Sequence, residues 1–103
     1  MNLKGTLPTL ILRALERKPS HGYRIAQDIK RRSKGVLDFR EGTLYPALHA
    51  QEKKGFIESF EQVENGRLRI YYQLTEKGRK ELAKERKEWR RVSRAVSLIL
   101  EGA

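Results

Sequence analysis

Residues Gly42-Thr43-Leu44-Tyr45-Pro46-Ala47-Leu48-His49-Ala50-Gln51-Glu52-Lys53-Lys54-Gly55 constrain the fold more than any other stretch of this chain. They read as one short helix, opened by Gly42-Thr43 and closed by Gly55. At about 100° per residue, Leu44, Ala47, Leu48 and Gln51 fall on one side. Gly42, Pro46, His49 and Lys53 fall on the other, flanked by Thr43 and Tyr45. Pro46 has no N–H, so it is tolerated only near the first turn, where that donor would go unpaired anyway. The outward face is therefore small at its start and basic further along, a shape suited to lying against another surface. The chain carries 23 Lys+Arg against 13 Asp+Glu, a formal net charge of +10, so that surface is expected to be a polyanion.

The flanking segments read as support for this helix. Residues 6–17 place Leu7, Leu10, Ile11, Ala14 and Leu15 at amphipathic spacing, with Thr6 as cap and Pro8 in the first turn. Lys18-Pro19-Ser20 ends that helix, and Ser20 is expected to cap a second one running to about residue 32. Lys30, Arg31, Arg32 and Lys34 crowd its C-terminal end, where positive charge suits the helix dipole. Gly35 breaks the chain, and Val36 to Phe39 are expected to form a short strand. Two short helices, a brief connection and a third helix make a helix-turn-helix. Phe56–Val63 and Leu68–Leu74 then flank Glu64-Asn65-Gly66-Arg67, and Asn-Gly between two β-prone runs is a strong hairpin signal. In the second run Leu68, Ile70, Tyr72 and Leu74 predict an apolar face, while Arg69, Tyr71 and Gln73 predict a polar one. A helix-turn-helix followed by a twisted hairpin is a winged helix. The fold class is thus α+β, three helices and a wing, with residues 3–75 as the winged-helix domain.

Thr75 caps a final helix, residues 76–100, which has no proline and no glycine after Gly78. Leu82, Trp89 and Val96 recur every seven residues, with Val92 and Ile99 at the second heptad position and Glu85 as the exception. A 103-residue chain with 38% apolar residues cannot bury that stripe in its own core. Pairing with the same helix of a second copy is the economical solution, and Leu82, Trp89, Val92, Val96 and Ile99 are the expected dimer contacts. Cysteine is absent, which excludes disulfides, thiolate chemistry and cysteine zinc sites. His21 and His49 lack cysteine or clustered carboxylate neighbours, so neither a metal nor another cofactor is expected. With no Gly-rich phosphate loop, no nucleophile beside a base and no inward carboxylate pair, an enzyme is not expected either. The chain shows no signal peptide and no long apolar run, and a cytoplasmic location is expected.

His21-Gly22-Tyr23, the Gly42–Leu48 run, Asn65-Gly66-Arg67, Tyr71-Tyr72-Gln73-Leu74-Thr75-Glu76-Lys77-Gly78 and Trp89 resemble the PadR family of bacterial transcriptional regulators, in its short form with one C-terminal helix. The match runs in order from about residue 3 to residue 100. The resemblance implies a homodimeric winged-helix repressor, with the third helix in the major groove of double-stranded DNA, the wing near the minor groove and the last helix making the dimer. Gln51 departs from the family pattern, which has leucine there, and it needs a hydrogen-bond partner or a route to water.

Expected DNA contacts are His21, Tyr23, Thr43, Tyr45, His49, Lys53, Asn65, Arg67 and Arg69. Thr43 and Tyr45 suit phosphate oxygens, His49 and Lys53 base edges or backbone, and the wing arginines a narrow minor groove. The bland alternatives are a packed Tyr45, a solvated Lys53 and ordinary edge charges on the wing. Tyr23 is expected to pack between helices with its hydroxyl left for a phosphate. Trp89 is either an interface anchor or a platform on which a planar aromatic effector stacks between subunits. The competing function class is a winged-helix protein-interaction module, which would want apolar residues where this chain has Lys53, Lys54, Arg67 and Arg69.

Overall fold

Apolar residues at helical spacing condense first into α1, Leu7–Ala14, entered through a 3-10 turn at Leu3–Thr6. The structure, a computed structural model, describes residues 3–102. After α1 come β1 (Ser20–His21), α2 (Gly22–Arg32), α3 (Glu41–Lys53), β2 (Ile57–Glu64), β3 (Arg67–Leu74) and α4 (Glu76–Leu100). The three strands form one antiparallel sheet in the order β1-β3-β2. One core unites Leu7, Ile11 and Leu12 of α1, Ile25 and Ile29 of α2, and Leu44 and Leu48 of α3 with Ile57, Tyr72, Leu74 and Leu82. This is the winged-helix architecture.

Three local expectations are corrected. The first helix ends at Ala14 rather than 17, because the chain must turn through residues 16–19 to bring Ser20 beside Tyr72 and His21 beside Tyr71. Ser20 consequently sits in a strand and does not cap α2. That role passes to His21, whose Nδ1 accepts the Arg24 N–H at 3.2 Å. Val36–Phe39 form no strand, and the segment pairs with neither β1 nor β2. Leu37 and Phe39 pack on the core instead, after Lys34 (φ 54°) and Gly35 (φ 86°) have turned the chain out of α2.

α3 divides as its periodicity requires. Leu44, Leu48 and Gln51 are buried, whereas Gly42, Pro46, His49 and Lys53 are exposed. The Gln51 Oε1 has no hydrogen-bond partner among the described residues, so this position is polar where the packing calls for an apolar side chain. The hairpin closes through Asn65 (φ 51°) and Gly66 (φ 77°), the left-handed pair that a two-residue turn between Glu64 and Arg67 demands. Its faces differ from the expected pattern at both ends. Tyr72 and Leu74 are buried, but Leu68 and Ile70 are exposed, because eight residues at about 3.3 Å each carry β3 past the core. Tyr71, expected on the polar face, is buried against the His21 ring, whose centroid lies 5.5 Å away.

α3, the wing and α4 meet at one tight junction. The Phe56 carbonyl accepts from Thr75 N–H at 3.1 Å, and the Thr75 hydroxyl donates to the Gly55 carbonyl at 2.6 Å while accepting from Gly78 N–H at 3.0 Å. Lys77 reaches the Lys54 carbonyl at 2.9 Å with its Nζ 5.3 Å from the centre of the Phe56 ring. A Cβ on Gly78 would lie 1.9 Å from the Phe56 carbonyl oxygen, a backbone atom that cannot swing aside. Gly78→Ala is therefore expected to destabilise by at least about 2–3 kcal/mol, as overpacking against fixed backbone does. Urea unfolding of the full chain checks this, and a midpoint equal to wild type would show that α4 is not seated as described.

Candidate nucleic-acid interface

The outward face of α3 is laid bare by its own sequence. A Cβ at Gly42 would meet nothing within 4 Å, and Pro46, His49 and Lys53 follow along the same exposed side. Thr43 is half-buried beside them. Tyr45 takes a different direction, its ring lying over Gly22 at the start of α2. A Cβ on Gly22 would come 2.8 Å from the Tyr45 Oη, so the absence of a side chain at Gly22 lets α2 and α3 approach this closely. The packed-aromatic alternative for Tyr45 is thus realised in part, since its hydroxyl end touches the N-terminus of α2 and the rest is half-buried.

The first turn of α2 gathers most of the other expected contacts. His21 is only 7% exposed, and the acceptor role of Nδ1 places its ring proton on Nε2. Burial, reinforced by the Arg69 and Arg24 guanidinium charges, pushes its pKa below the ordinary histidine value. Tyr23 does not pack between helices. It is 59% exposed, its ring is nearly parallel to that of His21 at 6.5 Å, and its hydroxyl accepts from Gln27 Nε2 at 3.1 Å. A side chain in the first turn of a helix faces outward unless a neighbouring element covers it, and none covers Tyr23.

The wing supplies Asn65 and Arg67, both exposed at its tip, and Arg69, half-buried on the strand face that also bears Tyr71. His21, Tyr23, Tyr45 and Arg69 thus cluster about the α2 N-terminus. Thr43, His49 and Lys53 extend the surface along α3, and Arg67 extends it along the wing. Between α2 and the start of α3 lies an open cleft of about 1160 Å³, edged by Arg13, Arg17, Arg24 and Arg40 and also by Asp28, Asp38 and Glu41. The surface is cationic and studded with hydroxyls, the composition that phosphate oxygens select. Trp89, by contrast, stands three residues past Arg86, which pairs with Glu16 at 3.0 Å, and it is 57% exposed.

Sequence reasoning missed Arg24, Gln27, Glu64 and Tyr71. Arg24 Nη2 meets Glu64 Oε1 at 3.1 Å, and the Tyr71 hydroxyl donates to the other oxygen of the same carboxylate. That bond holds the Glu64 carboxyl below the usual carboxylate range, aided by the Arg24 charge, and raises the Tyr71 pKa. Arg24 follows the His21-Gly22-Tyr23 motif and Tyr71 opens another, but nothing in a linear reading pairs positions 24 and 64. Among the described residues no group of three His, Cys, Asp or Glu side chains is placed to hold a metal, and no helix is long and apolar enough to cross a membrane.

Comparison with known proteins accords with this geometry. Residues 11–84 match the family model described as "Transcriptional regulator PadR-like family". The fold is similar to that of a PadR-like transcriptional regulator from Bacillus cereus, with a TM-score of 0.85, 29% identity and coverage of 98% of this chain and 97% of that one. A PadR family transcription regulator from Clostridium difficile aligns with a TM-score of 0.82 and 34% identity over 93% of this chain and 99% of that one. Bacillus subtilis PadR, solved in complex with operator DNA, aligns with a TM-score of 0.68 and 25% identity over 76% of this chain and 45% of its own.

The buried, neutral His21 makes stability depend on pH. Its folded pKa is depressed, so the unfolded chain binds the proton more readily. The contribution is complete above the unfolded value of about 6.5 and is lost as pH falls from there through the folded pKa. Protonation would also put a proton on Nδ1 and remove the acceptor for Arg24 N–H. His21→Asn, which keeps a capping acceptor, is expected to remove this acid sensitivity, and His21→Ala to cost about 0.5–2 kcal/mol at neutral pH. Thermal melts between pH 5 and 8 decide the matter, and identical pH profiles for wild type and His21→Asn would exclude the assignment.

Proposed function

Since this chain belongs to the PadR-like family of transcriptional regulators, we propose that it is a homodimeric repressor that binds an inverted-repeat operator in double-stranded DNA and responds to a planar aromatic effector. The observation that carries the reading is that Lys53 on the outward face of α3, Arg24 in the first turn of α2 and Arg67 and Arg69 of the wing lie along adjoining elements of one surface, with Glu64 as the acid among them. In this reading Thr43, Tyr45, His49 and Lys53 engage the major-groove side, Tyr23 a phosphate, and Asn65, Arg67 and Arg69 the adjacent minor groove. His21 acts from within by capping α2. That the Bacillus subtilis relative was solved in complex with operator DNA supports double-stranded DNA as the partner. Residues 3–75 form the DNA-binding unit and 76–100 the dimerisation helix, whose Trp89, Val92, Val96 and Ile99 are exposed in the single chain and would be covered by a second copy, whereas Leu82, expected among the dimer contacts, is 3% exposed and belongs to the protomer's own core. Lys53, Lys54 and Arg67 are all exposed, which speaks against a protein-interaction module, for which apolar residues would serve better.

Selection of bound duplexes from a random pool is expected to return an inverted repeat with half-sites about 10 bp apart or a multiple of that. Affinity should fall steeply with salt, by roughly 10³–10⁵-fold between 50 and 200 mM if about 6–10 phosphates are neutralised per dimer. Arg67→Ala should weaken all sequences alike and reduce the salt slope by about one per arginine removed. A wild-type slope near zero would defeat the DNA reading.

The effector is tested through Trp89, the chain's single tryptophan. Titration of flat cationic dyes or phenolic acids should quench its fluorescence saturably while DNA affinity drops in parallel, since only a ligand that prefers the DNA-free geometry shifts the balance. Absence of saturable quenching, together with loss of the dimer in Trp89→Ala, would leave Trp89 as an interface anchor.

A further inference from the structure

The outer half of the wing has no core beneath it. Val63, Leu68 and Ile70 form its inner apolar face and are 66%, 63% and 46% exposed. β1 pairs with β3 only at Tyr71 and Tyr72, so from Ile70 outward the wing is a two-stranded ribbon. Such a ribbon is marginal by itself in water. Yet it carries Asn65, Arg67 and Arg69, which must be held in a fixed relation to α3 if both are to meet one duplex.

What holds it lies on the opposite face. The Phe60 and Tyr71 rings stack at 5.8 Å, and Tyr71 packs edge-on against His21. The Tyr71 hydroxyl donates to one oxygen of Glu64, and Arg24 donates to the other. Arg24 also gives its backbone N–H to His21. The carboxylate at the last residue before the turn is therefore bonded at once to the base of its own hairpin and to the first turn of α2. We propose that Glu64 is a positioning residue for DNA binding, a latch that ties the wing tip to α2 through Arg24 and Tyr71 and so sets the angle between the wing arginines and α3.

Charge makes this testable by sign. Glu64 is an acid in a cationic surface, and simple electrostatics predicts that removing it strengthens DNA binding. The latch predicts the reverse, because a freed wing must be ordered at the moment of binding. Glutamine keeps one acceptor oxygen for Arg24 and offers an NH2 that can donate to the Tyr71 hydroxyl in its place, so it should retain most of the positioning that alanine loses.

The proposal rests on the DNA-binding reading, and two measurements on the full chain keep them apart. In the free protein, Glu64→Ala should speed hydrogen exchange at the Arg67 and Arg69 amides by about tenfold, with an unchanged melting temperature and near wild-type exchange in Glu64→Gln. On the selected duplex, Glu64→Ala should bind about tenfold more weakly and with a salt slope smaller by about one per arginine disengaged, while Glu64→Gln stays close to wild type. Tighter binding by Glu64→Ala, unchanged exchange, or equal losses in the alanine and glutamine variants would each overturn the latch. If the wild type shows no salt-dependent binding, the DNA reading fails, while the exchange data still decide whether Glu64 holds the wing.

Discussion

The close approach of Gly78 to the Phe56 carbonyl is the constraint on which the rest of the structure depends. Four chain segments meet there: the end of α3, both feet of the wing and the first turn of α4. Thr75 is shared among four bonds, to Phe56, Gly55, Gly78 and Arg79, so the end of the sheet and the start of the long helix are fixed by one residue. The Lys77 side chain closes the junction over the Phe56 ring and onto the last turn of α3. Because α3 and the wing leave this junction together, their mutual direction is set at the base. Because α4 leaves it too, any partner that α4 recruits is placed relative to α3 by the same few contacts.

A second meeting point, at the N-terminus of α2, governs the surface rather than the frame. Gly22 admits the Tyr45 ring, His21 caps the helix while packing on Tyr71, and Arg24 reaches Glu64 at the wing tip. Through these contacts α2 is joined to α3 by the Tyr45 ring over Gly22 and to the wing by the Arg24–Glu64 pair and the His21–Tyr71 packing. Tyr23 and Gln27, on the outer side of the same turns, are left facing solvent and bonded to each other. Binding chemistry is thus presented by the exposed partners of residues whose neighbours are structural.

The distribution of charge follows from the same division of labour. Arg31 and Arg32 both pair with Asp28, and Arg86 with Glu16, so several of the cations are tied up within the protomer. At Glu85, the acid that interrupts the heptad, the Thr9 hydroxyl donates at 2.5 Å, and burial raises its pKa. The interruption has a purpose in the fold: it marks where α4 stops facing α1. Beyond Arg86 the stripe of Trp89, Val92, Val96 and Ile99 faces outward. The helix changes its environment within one heptad, from contact with its own core to a surface without a covering in the single chain.

Sequence alone determined the four α-helices, the β2–β3 hairpin and their order, together with the two faces of α3, the Asn65-Gly66 turn, the Thr75 cap and the apolar stripe of α4 beyond Arg86. These are consequences of spacing within a few residues: helical period, alternation, capping and the left-handed turn are local physics. Only the tertiary structure decided that Ser20-His21 would be a strand, that Val36–Phe39 would not, that Tyr71 would be buried on the nominally polar face, and that the outer wing would run past the core. It also decided that Tyr45 would rest on Gly22 and that Glu64 would join Arg24 to Tyr71. Those outcomes depend on which segments lie side by side and on how far each strand outruns the core. A residue's own neighbours in the chain carry no record of either.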